Sequence, residues 1–242
     1  TQTLEKEGMI VHYEENIDAI PFEIKENKTN ALVIYTPAIP KDNIEYQFFI
    51  NNNIRLYKRA EVLGLITQNY FTIAVAGTHG KTTTSSIVAH VLNECGVDCI
   101  AFLGGISLNF NSNLLLNNNA KTVVVEADEF DRSFLTLSPN IAIVTSIDAD
   151  HLDIYGDKEE MHKSYQDFVN KIDEKGVLIT KPSIKEKLKF KNTTTYDLNF
   201  LADYLPSEVK VENGSYFLTI NNDKIKLGFP GIHNVENALG AY

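Results

Sequence analysis

Short apolar runs of four to seven residues alternate with longer segments of helical spacing along most of the chain. Short apolar runs bounded by polar residues are typical of buried strands, and longer runs with apolar residues three or four apart are typical of helices. The alternation predicts an α/β fold with a mostly parallel sheet. The predicted strands are 71–76, 99–103, 122–126, 141–147 and 177–180, and the predicted helices are 85–93 and 159–172.

The first 67 residues have weaker patterns. Apolar runs at 9–11, 31–35 and 54–56 predict three short strands, and 43–51 and 58–68 predict helices. Three short strands make a poor independent sheet. We therefore predict that residues 1–67 are part of a Rossmann-like domain with a connecting helix, and that 68–242 form a second domain.

Two stretches of the second domain depart from the alternation. The Asn-rich stretch 109–119 predicts a mobile loop. After residue 196, short alternating runs at 208–211, 216–220 and 224–227 predict strands joined by hairpin turns. We interpret them as an antiparallel edge or flap on the parallel sheet, followed by a helix at 235–242.

The clearest chemical signal is the loop Gly77-Thr78-His79-Gly80-Lys81-Thr82-Thr83, between a predicted strand and a predicted helix. Backbone N–H groups at such a helix start attract phosphate, and the lysine and the hydroxyl that follows it suit phosphate and Mg²⁺. The loop departs from the common pattern at Val75, where a glycine is usual. The alternative is a glycine-rich turn with a chance lysine.

Three further clusters follow predicted elements. Four carboxylates lie within 126–131, where Glu126 is our first choice as a metal ligand and Asp128 is a possible second; the alternative is a solvated acidic turn. The stretch 147–153 places His151 among carboxylates. It suits a second Mg²⁺ site or a substrate-positioning site, and the alternative is a packed turn.

Asn234 and Asn237 share one helix face. Their amides suit an adenine edge, and the alternative is a helix cap.

Charge and composition limit the kinds of partner that the chain can bind. A formal net charge of −10 without a basic block argues against nucleic-acid binding, and no run of about 18 apolar residues predicts a membrane span. Cys95 and Cys99, the two cysteines, are predicted to be reduced thiols of a cytoplasmic protein.

Together these segments resemble the Mur ligases, ATP-dependent amide-forming enzymes of peptidoglycan precursor synthesis. Residues 77–84 resemble their variant phosphate loop, which accounts for Val75. Residues 126–135 and 147–153, together with His79 and the Leu103-Gly104-Gly105-Ile106 segment, are most similar to the branch that joins L-alanine to UDP-N-acetylmuramate.

The resemblance implies three domains, which bind the UDP substrate, ATP and the amino acid. Residues 1–67 correspond to the latter part of the first domain and 68–242 to most of the second. It implies partners in the missing N- and C-terminal segments of the same enzyme, and an isolated chain that is inactive. Thr36, Pro37 and Ala38 would lie near the uridine diphosphate.

The resemblance also implies residue roles. Lys81, Glu126 and His151 would be catalytic, and Thr82, Glu126 and His151 would bind Mg²⁺. Lys163 is the nearest candidate for a carbamoylated, metal-bridging lysine, and we do not assign it. The nucleotide-binding set would be Gly77, Thr78, His79, Gly80, Lys81, Thr82, Thr83, Asn234 and Asn237.

The implied reaction is the joining of L-alanine to the lactyl carboxylate of UDP-N-acetylmuramate through an acyl phosphate. One alternative is the related ligase that adds a recycled peptide to the same acceptor. Another is a different phosphate-loop enzyme, such as a kinase or a nucleotide switch. A third is that the chain by itself is only a nucleotide-binding module.

Overall fold

The computed structural model describes residues 2–26, 31–148 and 155–242. The chain divides into two compact units, Thr1–Val62 and Leu63–Tyr242. Among the helices of the described ranges, none combines the length and the apolar composition needed to cross a membrane.

The first unit contains short elements around a two-stranded parallel sheet. Strands β1 (Val33–Tyr35) and β2 (Leu56–Lys58) pair directly. Its helices are α1 (Gln2–Lys6), α2 (Phe22–Glu26) and α3 (Ile44–Asn51), with a 3₁₀ turn at Ile17–Ala19; α4 (Arg59–Thr67) follows. Asn43 caps α3, because its side chain accepts a hydrogen bond from the Tyr46 N–H.

The predicted strand at 9–11 is wrong. These residues lie outside any strand, and Ile10 is 96% exposed. An apolar run forms a strand only where a neighbouring strand satisfies its backbone and a packed layer covers its side chains. Within the described part of this unit, β1 pairs with β2 alone.

The second unit is built on a seven-stranded sheet in the order β5-β4-β6-β3-β7-β8-β9. Adjacent strands are parallel except for the β4–β5 pair. The strands are β3 (Phe71–Ala76), β4 (Cys99–Ser107), β5 (Ser112–Leu115), β6 (Thr122–Glu126), β7 (Ile141–Val144), β8 (Val177–Thr180) and β9 (Thr193–Thr195). This confirms the mostly parallel α/β architecture.

The two faces of the sheet are covered by different helices. Ala74 and Ala76 of β3 face a cluster that includes Phe168 of α6 (Lys158–Val169) and Phe134 of the 3₁₀ segment Phe130–Thr136. Ile73 and Val75 face the other way, toward Val88 and Ala89 of α5 (Lys81–Glu94). This period-two alternation places apolar side chains on both faces of the sheet, so the central strands are buried.

Two expectations about the edges of this sheet are corrected. The 109–119 stretch is not wholly a loop, because β5 lies within it and pairs with β4. The three strands after residue 196 do not join the parallel sheet. Instead β10 (Glu208–Glu212), β11 (Ser215–Ile220) and β12 (Asp223–Lys226) form a separate antiparallel sheet. Leu218 and Ile220 of this sheet pack with Val235 of α8 (Ile232–Ala241). A short helix, α7 (Pro182–Lys185), follows β8.

Candidate nucleotide-binding site

The candidate site lies at the carboxyl end of β3, between β6 and β7. The register pairs Val75 with Glu126 on one side and Ala76 with Val144 on the other. The segments that follow these three strands therefore meet at one edge of the sheet. This edge is where ligands bind in open α/β sheets.

The loop from β3 to α5 requires glycine at both of its ends. Gly77 and Gly80 have φ angles of 137° and 84°, a region that side chains strongly disfavour. A Cβ at Gly77 would overlap the Thr145 hydroxyl, and a Cβ at Gly80 would overlap the Asn237 amide. Val75 is still part of β3 and is fully buried, so the chain has no need of glycine there.

Residues that follow β7 fix the conformation of this loop. The His79 N–H donates to the Ser146 hydroxyl at 2.8 Å, and the Thr78 N–H donates to the Ser146 carbonyl at 3.2 Å. The Thr145 hydroxyl donates to the His79 carbonyl. Sequence reasoning missed Thr145 and Ser146. Two hydroxyl residues directly after a buried strand were the available signal.

The start of α5 provides backbone donors that the helix itself leaves without an acceptor. Gly80 is the N-cap of α5 and makes no side-chain capping bond, and the first helical bond runs from the Thr84 N–H to the Gly80 carbonyl. The N–H groups of Lys81, Thr82 and Thr83 precede that bond, so they have no acceptor within the helix. Together with the helix dipole, they suit a phosphate group.

Lys81 is held by two partners inside the site. Its ammonium donates to the Gly77 carbonyl at 2.7 Å. The same Nζ lies 2.9 Å from Oε1 and 2.8 Å from Oε2 of Glu129. The side chain of Glu129 is 1% exposed and that of Lys81 is 14% exposed, so this is a nearly buried ion pair. Sequence reasoning placed Glu129 in an acidic cluster without a role.

Two buried tyrosines lie near Glu129. The Tyr155 hydroxyl donates to the Glu129 backbone carbonyl. Burial raises the pKa of Tyr155, and burial together with the negative charge of Glu129 raises the pKa of Tyr165 far above its ordinary value. Both phenols therefore stay neutral, and Lys81 supplies the positive charge that pairs with this carboxylate.

Glu126 and Thr82 meet the same two-glycine segment of β4. The Gly104 N–H donates to Glu126 Oε2 at 2.8 Å, and a Cβ at Gly104 would overlap the carboxylate. A Cβ at Gly105 would lie 3.3 Å from the Thr82 methyl group. Glycine at both positions lets the carboxylate and the threonine approach the strand closely.

These residues fit a magnesium ion. A carboxylate and a hydroxyl supply oxygen ligands, and Mg²⁺ at nucleotide sites commonly takes one or two protein ligands together with phosphates and water. Within the described ranges, no group of three or more His, Cys, Asp or Glu side chains is arranged to hold a metal. A carboxylate and a hydroxyl suit an ion that arrives with a phosphate ligand.

The remaining residues singled out from the sequence differ in their exposure and their hydrogen bonds. Asp128 is exposed and caps the Phe130 N–H at 3.1 Å. Asn237 is 8% exposed and lies against Gly80, whereas the Asn234 amide donates to the Pro230 carbonyl at 2.6 Å. Lys163 is exposed, with Nζ 3.4 Å from Glu160 Oε1.

Two predicted segments lie elsewhere. His151 falls outside the described residues. Asp148, the last described residue before it, donates its N–H to the Thr78 hydroxyl at 3.2 Å. Thr36, Pro37 and Ala38 follow β1 in the first unit, where the Ile39 N–H donates to the Thr36 carbonyl at 3.1 Å.

Comparison with known proteins identifies relatives of the whole chain. The family model of the Mur ligase middle domain matches residues 75–242. The UDP-N-acetylmuramate–L-alanine ligase of Christiangramia forsetii is 46% identical over 248 residues, which cover 100% of this chain and 53% of that protein. Further relatives at 41% and 47% identity carry the same name. The chain thus spans about half the length of the curated relatives it matches.

Two solved structures have a fold similar to that of this chain. The UDP-N-acetylmuramate–alanine ligase of Thermotoga maritima has a TM-score of 0.80 at 26% identity, covering 99% of this chain and 55% of that one. The UDP-N-acetylmuramate:L-alanyl-gamma-D-glutamyl-meso-diaminopimelate ligase from Neisseria meningitides has a TM-score of 0.82 at 21% identity. That match covers 100% of this chain and 80% of the other.

Proposed function

We propose, since the chain belongs to the Mur ligase family, that it is the ATP-binding part of a cytoplasmic UDP-N-acetylmuramate–L-alanine ligase. One observation carries the proposal: Lys81 stands at the end of a loop held by the residues that follow β7, at a helix start whose first N–H groups have no acceptor within the helix. That arrangement binds phosphate, and the relatives named for this reaction align over the whole chain.

Each unit has a proposed role. Residues 68–242 form most of the ATP-binding domain, and residues 1–67 are part of the domain that binds the UDP substrate, with Thr36, Pro37 and Ala38 near the diphosphate. The compact units divide five residues earlier than this boundary, inside α4. The segments that would complete the enzyme lie outside this sequence, so we propose that the chain alone binds nucleotide without turning it over.

The proposed reaction has two steps. An oxygen of the lactyl carboxylate of UDP-N-acetylmuramate attacks the γ-phosphorus of ATP, and the bond to ADP breaks. The amine of L-alanine then attacks the acyl carbon and loses a proton, and phosphate leaves with the bonding electrons. A carboxylate lacks a good leaving group, and the acyl phosphate supplies one. Neither step needs a covalent protein nucleophile, so catalysis depends on positioning and charge.

The residues of this chain perform that positioning. Lys81 and the first N–H groups of α5 bind the β- and γ-phosphates, and the loop 77–80 cradles them. Thr82, Glu126 and His151 would hold Mg²⁺, which neutralises phosphate charge when bound. Asn237, against Gly80, and Asn234, one helical turn away, would contact the adenine.

The related peptide-recycling ligase is the second candidate. The structural neighbour from Neisseria meningitides is named for that activity, but its identity to this chain is 21%, which supports the fold alone. The relatives named for L-alanine addition are 41–47% identical. Sequence similarity therefore favours L-alanine as the amino acid.

The test measures ADP release by the intact ligase that carries these residues. We expect release to require UDP-N-acetylmuramate and L-alanine together, and the tripeptide L-alanyl-D-glutamyl-diaminopimelate to be a poor replacement for L-alanine. Each substrate omitted singly is the control. Faster release with the tripeptide would assign the recycling activity instead, and release without any UDP-sugar would contradict both.

A further inference from the structure

The four carboxylates of 126–131 have separate environments, and Glu129 differs from the others. Asp128 and Asp131 are exposed, and Glu126 is half-buried against Gly104. Glu129 is buried, and both of its oxygens face the ammonium of Lys81. The proposed phosphate-binding cation is thus already paired with a carboxylate of its own chain.

This pair opposes the binding of an anion. Two of the groups that Lys81 contacts, the Gly77 carbonyl and the Glu129 carboxylate, accept its N–H bonds from inside the protein. A phosphate must share or replace them. The buried negative charge also repels phosphate, because Coulomb interactions are strong where water is excluded.

A magnesium ion would change this balance. A nucleotide without metal brings its full phosphate charge to a site that already holds the Glu129 and Glu126 carboxylates. A nucleotide with Mg²⁺ brings two fewer negative charges and a cation that Glu126 and Thr82 can ligate. Glu129 therefore penalises the free nucleotide more than the magnesium complex.

We propose that Glu129 is the positioning and specificity-determining partner of Lys81, which makes the site select the Mg²⁺-bound nucleotide over the free one. Its carboxylate holds Nζ beside the loop and competes with phosphate for it. This inference rests on the proposed function, because it takes Lys81 as the phosphate ligand.

The experiment is calorimetric titration of the 242-residue chain with a non-hydrolysable ATP analogue, with and without Mg²⁺. The variant is Glu129→Gln, which keeps the shape and an acceptor for Lys81 but removes the charge. We expect its affinity for the free analogue to rise about tenfold and its affinity for the magnesium complex to rise less than about threefold. The preference for Mg²⁺ therefore shrinks.

Asp131→Asn is the matched control. It removes one charge from the same turn at an exposed position, and asparagine tolerates the positive φ of 51° found there. We expect it to change either affinity by less than about twofold, since exposed charges are screened by water and salt. An equal effect of both variants would reduce the role of Glu129 to net charge and overturn the proposal.

The possible results distinguish a failure of the proposed function from a failure of the role proposed for Glu129. Failure of the wild-type chain to bind the analogue in either condition counts against the proposed function. Normal wild-type binding with an unchanged Mg²⁺ preference in Glu129→Gln overturns this inference alone. If Glu129→Gln does not fold, Glu129→Asp replaces it: the charge stays but is withdrawn from Nζ by one methylene group, and the Mg²⁺ preference should fall by about threefold. An unchanged preference would again overturn the inference.

Discussion

At the scale of single residues, the ion pair of Lys81 and Glu129 connects stability with binding. A buried carboxylate that loses its cation keeps the cost of desolvation without the compensating attraction. The sequence presents Lys81 as a ligand for phosphate only. The structure shows that it also neutralises a carboxylate that is 1% exposed.

The first prediction concerns this double role. We expect Lys81→Met to lower the free energy of unfolding by about 3 kcal/mol, because it leaves Glu129 buried without a partner. The double variant Lys81→Met/Glu129→Gln should recover to within about 1 kcal/mol of wild type, because no buried charge remains. Urea denaturation followed by circular dichroism measures both. Equal instability of the single and double variants would show that the pair contributes through packing instead.

At the scale of secondary-structure elements, β4 positions the two proposed magnesium ligands. Its Gly104 N–H binds the Glu126 carboxylate, and Gly105 lies beside Thr82. Neither contact involves a side chain of β4. Gly104 is therefore needed because it has no side chain: a Cβ at this position would overlap the Glu126 carboxylate.

The second prediction concerns the two glycines of β4 and the affinity for the nucleotide. We expect Gly104→Ala to reduce the affinity for the Mg²⁺–nucleotide complex about tenfold or more, because its methyl group displaces the Glu126 carboxylate. Gly105→Ala is the matched control: its methyl group would lie 3.3 Å from a threonine methyl, and a small shift relieves that contact. Titration of both variants with the analogue and Mg²⁺ is the measurement. Similar losses in the two variants would contradict a specific role for Gly104.

The elements also show how far the sequence predicts this fold. Strands β3, β6 and β8 have the predicted bounds, because their apolar runs are bounded by polar residues and are largely buried. Strand β5 was hidden by the asparagines around Leu114, and β9 consists of three threonines without an apolar run. Edge strands are held by one neighbour and bury less surface, so their apolar signal is weak.

The candidate site, like the sheet, could be predicted from the sequence only in part. The loop 77–80 has a local pattern that fixes its conformation, so its place between β3 and α5 follows from the sequence. The partners of that loop do not. Thr145, Ser146 and Glu129 come from segments 48 to 69 residues away, and their bonds arise from strand order. Such contacts cannot be predicted from local sequence patterns, because the partners are far apart in the chain. The parallel pairing of β3 with β6 and β7 brings them together.

At the scale of the whole molecule, the chain consists of two compact units and spans about half of its relatives. The second unit contains the anchored loop, the Lys81 ammonium and the two proposed magnesium ligands. It therefore holds the described parts of a nucleotide site on one sheet edge. The proposed turnover would require further segments, which in our proposal bind the UDP-sugar and the amino acid.

The central claim is that this chain binds ATP through Lys81, and one titration tests it directly. The 242-residue chain is titrated with a non-hydrolysable ATP analogue and Mg²⁺, beside the Lys81→Met/Glu129→Gln variant, which is expected to be stably folded. We predict saturable binding of one nucleotide by wild type and at least about a hundredfold weaker binding by the variant. No binding by the folded wild-type chain, or equal binding by both proteins, would contradict it.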